Sequence, residues 1–323
     1  MSEPLLQVRD LTKVFNVRRG NAFLKTQPLY AVNNVSFDIR AGEVLGVVGE
    51  SGCGKSTLGR LILRLLEPTK GQLLFEGRDL RELTAEQMRR ARSDMQMVFQ
   101  DPNGSLNPAM QVGRSISETL RFHGIGTEAE RYEKALKILS VVGLQASHYN
   151  RLPHEMSGGQ NRRVGIARAL IINPKLLIMD EAVSALDVSV QAQILKLLEE
   201  IREEFHISIL FISHDLSVVN RVSDRVIVLY LGRVMEIAPV KALFSGARHP
   251  YTRGLLASRP SIDPTKRVKT EAALQGDLPS PLSLPKGCPF VTRCALATDI
   301  CWQQMPEHRE RAPDWIVACH HVD

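Results

Sequence analysis

Nine residues, GESGCGKST at 49–57, place Gly49, Gly54, Lys55 and Ser56 in the pattern G-x-x-x-x-G-K-[ST]. The apolar run EVLGVV precedes them and LGRLILRLL, with helical spacing, follows, which is the strand–loop–helix setting such a loop needs. Glycines let the backbone curl so that its N–H groups point inward at phosphate oxygens, and the next helix adds its positive end. Lys55 is placed to reach the β- and γ-phosphates, and the Ser56 hydroxyl to ligate Mg²⁺. The pattern arises by chance in roughly one random chain of this length per hundred. Gly49, Glu50, Ser51, Gly52, Cys53, Gly54, Lys55, Ser56 and Thr57 are therefore the expected nucleotide contacts.

A second stretch, LLIMDEAVSALD at 176–187, delivers two carboxylates where a buried parallel strand ends. Asp180 can hold a metal through water. Glu181, pointing elsewhere because strand neighbours alternate, can orient or deprotonate an attacking water. A third, PHEMSGGQNRRVGIARAL at 153–170, predicts a helix capped by Ser157 with two glycines in its first turn. Its open N–H groups form a second anion site, yet the chain has one phosphate loop. The simplest resolution is that this site completes the nucleotide pocket of a partner subunit.

These stretches stand with MVFQDP (Gln100), SALD and FISHD (His214), six motifs in one order over residues 5–238. In that order and spacing the chain resembles the ATP-binding cassette family, the ATPase subunits of ABC transporters. The resemblance implies an α/β fold, a P-loop NTPase cassette. Its RecA-like core would carry an antiparallel β subdomain and an inserted helical lobe at about 101–165, within a nucleotide-binding domain of 1–245. It implies two ATPs held head to tail between two cassettes. Gln100 would sense the γ-phosphate and Mg²⁺ and link to membrane subunits. Ser157, Gly158, Gly159 and Gln160 would grip the partner's ATP. Glu181 would be the general base, Asp187 would act across the dimer interface, and His214 would hold the γ-phosphate and water. Mg²⁺ would be held through Ser56, Gln100 and Asp180, and Phe15 would stack on adenine, a core role being its alternative. Asn161 and Arg162 stand where the family usually has Arg and Gln, and Ala182 where it often has Pro; neither departure removes a catalytic group.

FQDPNGSLNP, RHPYTRGLLAS and GDLPSPLSLPKGC are similar to the dipeptide, oligopeptide and nickel importer branch. That branch implies a second, paralogous cassette, two membrane permease subunits, an extracytoplasmic binding protein and a peripheral place on the cytoplasmic face of the cell membrane. Peptides are the expected solute; nickel chelates, glutathione and other solutes remain alternatives. A soluble cassette ATPase uncoupled from transport is the rival reading.

The elements that must position this chemistry fit an ordinary globular composition, 44% apolar and 24% charged. The net charge of +6 is diffuse, with aromatics at 5% and no dense basic block, so a nucleic-acid partner is not expected. The opening MSEPLLQVRD lacks a signal-peptide pattern, and an intracellular protein with reduced thiols is expected. TEAERYEKALKILSVVGL at 127–144 has helical spacing with a solvated face, and the proline-rich stretch 246–286 reads as extended linker.

One cluster remains. Cys288, Cys294, Cys301 and Cys319, four of the chain's 5 cysteines, lie in the last 36 residues. Four thiolates form a complete ligand set for structural zinc or a [4Fe–4S] cluster. The absence of a short C-x2–4-C knuckle, together with the resemblance, favours the iron–sulfur cluster. Zinc, with His320 or His321 as substitute ligands, is the alternative. The expected extension, 246–323, is thus a metal-stapled tail with little core of its own.

Overall fold

A computed structural model describes residues 3–18, 26–184, 186–258, 276 and 278–322. Pro260 and Pro264 of the expected linker lie outside the described residues. The chain forms two compact units, one of residues 1–4, 39–44 and 82–213, the other of 5–38, 45–81 and 214–323.

The first unit is built on parallel strands. Leu176–Asp180 lies between Met95–Val98 and Ser208–Ile212, with Met95 opposite Leu176 and Leu176 opposite Ser208. Both inner strands are buried along their whole length, so they read as apolar runs without alternation. Helices Ala85–Ala91, Glu128–Val141 and Gly158–Leu170 each open on a reciprocal capping box, Thr84 with Gln87, Thr127 with Glu130 and Ser157 with Gln160. Val112–Phe122 packs against 128–141 and 158–170, and Gly158–Leu170 runs through the expected lobe end at about 165. Helix Val188–Phe205 stops at His206, which takes the left-handed conformation (φ 50°) more often given to glycine.

The second unit holds an antiparallel sheet, Thr26–Ile39, Leu6–Arg18, Lys70–Phe75 and Arg78–Asp79 in spatial order. It also holds Val44–Val48, the strand feeding the phosphate loop, parallel to Arg225–Tyr230. Antiparallel to that lies Arg233–Pro239, then Trp315–Val317, then Arg309–Ala312. The last two come from the cysteine-rich tail. The tail was expected to have little core of its own. It instead adds two strands to this sheet and buries Cys288, Phe290, Val291, Cys301, Val317 and Ala318. The reason is apolar area: covering a sheet edge removes more of it from water than a free metal-stapled knot could.

No helix among the described residues is long and apolar enough to cross a membrane.

Candidate functional site

The phosphate loop leaves Val48 and closes on the helix Lys55–Ile62. At Gly49 (φ 154°) a Cβ would overlap the carbonyl oxygen of Leu229, and at Gly54 (φ 102°) that of Ala31. Both glycines are therefore demanded by close backbone approach, which forms the cradle a phosphate needs. Lys55 is buried, and its ammonium donates to the carbonyls of Gly49 (2.8 Å) and Glu50 (3.1 Å). Cys53 is buried beside it, and burial pushes its thiol up despite the nearby ammonium. It fills space under the loop as a small neutral group. His214 is exposed in this unit, just before Asp215, whose carboxylate caps the helix Leu216–Val222. Phe15 lies half-buried on the strand Leu6–Arg18, with the Lys13 ammonium 5.1 Å from its ring centre.

In the other unit, Asp180 ends the central strand almost fully buried. Glu181 does not follow it by simple pleat alternation. It stands past the strand end in the left-handed region (φ 47°), which re-aims its carboxylate. That backbone is held by its own N–H on Ile212 O (2.9 Å) and by Ser184, whose N–H and hydroxyl both donate to Glu181 O. The Glu181 carboxylate accepts from Gln100 Nε2 at 2.9 Å, which brings these two site candidates together. Asp187 stands exposed at the N-cap position of the helix Val188–Phe205, with no side-chain hydrogen bond to the helix amides.

The signature helix begins as predicted. Ser157 Oγ accepts from the Gln160 N–H (3.3 Å), and Gln160 Oε1 accepts from the Ser157 N–H (2.9 Å). A Cβ at Gly158 would meet only open space, so the helix start is unobstructed. The departing residue Asn161 is buried and donates to Pro153 O (2.9 Å), a structural post. Arg162, the second departing residue, has a role that the sequence did not give it. Its guanidinium donates to Phe99 O (2.6 Å) and Gln100 O (2.7 Å), fastening the signature helix to the segment that carries Gln100. Its departure from the family's usual glutamine was the available sign.

The RHPYTRG stretch has a positioning role as well. The His249 imidazole, held neutral by burial with its pKa lowered to about 3, accepts from the Tyr251 N–H and caps the helix Pro250–Ala257. Tyr251 then accepts from the Glu50 N–H of the phosphate loop (3.1 Å). Glu236, fully buried, accepts from the N–H groups of Arg248 and His249 and from the Trp315 indole.

All four tail cysteines line one small cavity of about 10 Å³, room for a single water-sized sphere. Burial pushes the Cys288 thiol up to about 12 and raises Cys294 and Cys319 as well. His321 Nε2 lies 3.3 Å from Cys301 Sγ. The donor set thus fits a thiolate-bound group in kind and number. As a formed ligand set it does not stand ready, since among the described residues no three His, Cys, Asp or Glu side chains group closely enough to hold a metal ion. At Cys288, Cys294 and Cys319 burial favours the neutral thiol, which packs as a small apolar group.

Residues 32–184 match the family described as ABC transporter, and 235–301 the one described as oligopeptide/dipeptide transporter, C-terminal region. The chain is 51% identical to the oligopeptide transport ATP-binding protein AppF of Bacillus subtilis, with 98% of this chain and 97% of that one covered. It is 47% identical to the oligopeptide transport ATP-binding protein OppF of Haemophilus influenzae, over 98% and 97% of the two chains. It is also similar to a solved dimeric, post-hydrolysis ATP-binding cassette, MJ0796, bound to ADP and Pi. There the TM-score is 0.65 and the identity 30%, with 73% of this chain and 98% of that one covered. The chain belongs to the ABC transporter ATPases and hydrolyses ATP, and its residues 235–301 are the C-terminal region of their oligopeptide and dipeptide branch.

Proposed function

We propose that this ATPase powers the import of peptides, working from the cytoplasmic face of the membrane with two permease subunits and a second, paralogous cassette, and supplied by an extracytoplasmic binding protein. The observation that carries the reading is the C-terminal region at 235–301, shared with relatives named for oligopeptide transport. In this reading residues 1–245 are the cassette and 246–323 its importer-specific extension. Gly49–Thr57 hold the phosphates, with Lys55 on the β- and γ-oxygens and Ser56 on Mg²⁺. Asp180 and Gln100 serve the metal, Glu181 takes the proton of the attacking water, and His214 holds the γ-phosphate. Ser157–Gln160 and Asp187 face the second cassette, and Phe15 meets the adenine. Catalysis is positioning and electrostatics more than covalent chemistry.

A groove of about 800 Å³ in the first unit, between Arg89, Asn107, Phe122 and Arg168, supports a permease contact. Phe122 is 65% exposed in it beneath the Arg89 guanidinium, 5.7 Å from the ring centre. An apolar anchor point with a basic rim suits a short cytoplasmic segment of a membrane subunit.

Uptake of labelled di- and oligopeptides into cells that carry the wild-type chain or Lys55→Ala tests this. Peptide uptake is expected to fall to background with the variant and to return with the wild type. Normal peptide uptake alongside lost uptake of nickel chelate or glutathione would give the transporter a different cargo. Unchanged uptake of every solute would leave a soluble ATPase.

The four cysteines are proposed to hold a [4Fe–4S] cluster, with zinc as the alternative. Such a group would cross-link the tail. Anaerobic purification is expected to yield a brown protein with about four irons and four sulfides per chain. Zinc without colour would replace the cluster by a structural metal. A metal-free, folded tail would end the metal reading and leave the ATPase untouched.

A further inference from the structure

Glu50 sits at a variable position of the phosphate loop, and its charge is unfavourable there. A carboxylate beside a triphosphate repels it, and the repulsion is strong where protein has displaced water. The fold answers with a tail residue 243 positions away. Arg293 forms a bidentate pair with Glu50, Nη1 to Oε2 at 2.7 Å and Nη2 to Oε1 at 3.1 Å, its own side chain only 5% exposed. The same Nη1 lies 3.4 Å from Tyr230 Oη. Tyr251 holds the Glu50 N–H, and Lys55 holds the Glu50 carbonyl, so three side chains converge on this one loop residue.

Arg293 is no loose surface arm. It closes the short turn Val291–Arg293, where its N–H donates to Phe290 O (3.0 Å). Phe290 packs on Tyr230 and Tyr251, with ring centres 5.4 Å apart in each pair. Phe290, Val291 and Cys294, the neighbours of Arg293 in sequence, wall the cysteine cavity. One turn of the tail therefore faces the thiols on one side and the phosphate loop on the other.

We propose that Arg293 is a positioning residue for the nucleotide: it neutralises and holds Glu50, so that the affinity of the phosphate loop for ATP depends on the docked cysteine-rich tail. The Glu50 carboxylate becomes harmless only while the pair is made. Loosening the turn, by whatever change at the thiols, uncovers it.

Titration of the full-length chain with MgADP and MgATP, in wild type, Arg293→Ala, Arg293→Lys, Glu50→Gln and the double variant Glu50→Gln/Arg293→Ala, tests the proposal. Arg293→Ala is expected to weaken nucleotide binding about tenfold, a weakening that eases as salt screens the bare carboxylate. In the assembled transporter the same change raises KM for ATP far more than it lowers kcat. Arg293→Lys recovers part of the affinity. Glu50→Gln added to Arg293→Ala restores most of it, because the repelling charge is gone; a merely structural role for Arg293 predicts no such rescue. Thermal midpoints measured alongside identify any variant that fails to fold, in which case Arg293→Lys and Glu50→Gln carry the comparison. Wild-type affinity in Arg293→Ala, or a loss that Glu50→Gln does not relieve, overturns the proposal. Failure of the wild type itself to bind nucleotide would instead strike at the ATPase reading on which this rests.

Discussion

Glu181→Gln is expected to bind MgATP as the wild type does and to turn it over about 10²–10⁴-fold more slowly. The substitution keeps the shape of the side chain and an oxygen that can accept from Gln100 Nε2, now made at 2.9 Å to Oε2. It removes the one property a general base needs, a lone pair that accepts a proton at neutral pH. The backbone is unaffected, because its left-handed turn is held by Ile212 O and Ser184, not by the carboxylate. Glu181→Gly makes the complementary point. It relieves a backbone strain of about 1 kcal/mol, so the protein should melt no lower while turnover is lost all the same. Single-turnover phosphate release beside nucleotide titration decides the matter. Near-normal release from Glu181→Gln would move the base to another residue.

The largest expected loss of stability is at Glu236. In a strand reading RVMEIAP its side chain is fully buried, where a carboxylate is rare without partners. The partners are three donors: the N–H groups of Arg248 at 2.9 Å and His249 at 3.1 Å, and Trp315 Nε1 at 2.7 Å. A register shift between Val234 and Glu236 in the pairing with Arg225–Tyr230 accompanies this inward placement. The Arg248 guanidinium lies over the Trp315 ring, 4.5 Å from its centre, and closes the site.

Glu236→Ala would strand all three donors in the interior at a cost of about 3–5 kcal/mol. For a chain of this size that lowers the melting temperature by roughly 6–12 °C. Glu236→Gln should fall between, since it keeps an acceptor oxygen but adds N–H donors without partners. Trp315 fluorescence during guanidinium unfolding, measured in a Trp302→Phe background because the chain has 2 tryptophans, reports the site. A midpoint shift worth under about 1 kcal/mol would mean the donors find other acceptors.

What could be read without the fold is what short spacing encodes. The loop at 49–57 needed glycine at Gly49 and Gly54 because backbone approaches backbone there, and no other residue type allows it. Ser157 before Gly158 and Gly159 announced a helix start, and the structure closes it with a capping box between Ser157 and Gln160. The clustering of the tail cysteines put all four on one cavity, although among the described residues no three ligand side chains group closely enough to hold a metal ion. The strand at 176–180 was legible as buried because four apolar residues in a row lead to Asp180.

Long-range pairing was not legible, because no local pattern records it. Glu50 and Arg293 are ordinary surface types until the tail docks and buries them together, 243 residues apart. Glu236 looks like a misplaced acid until His249, Arg248 and Trp315 supply its donors. Arg162 looks like one more basic residue after a motif until it grips the carbonyls beside Gln100. By itself the sequence determined the local chemistry: which loop takes phosphate, which strand end is acidic, which helix offers its amides. Only the tertiary structure decided which charges neutralise one another and that the tail joins a sheet. Pairing energy depends on distance and on the exclusion of water, and both exist only once the chain has folded.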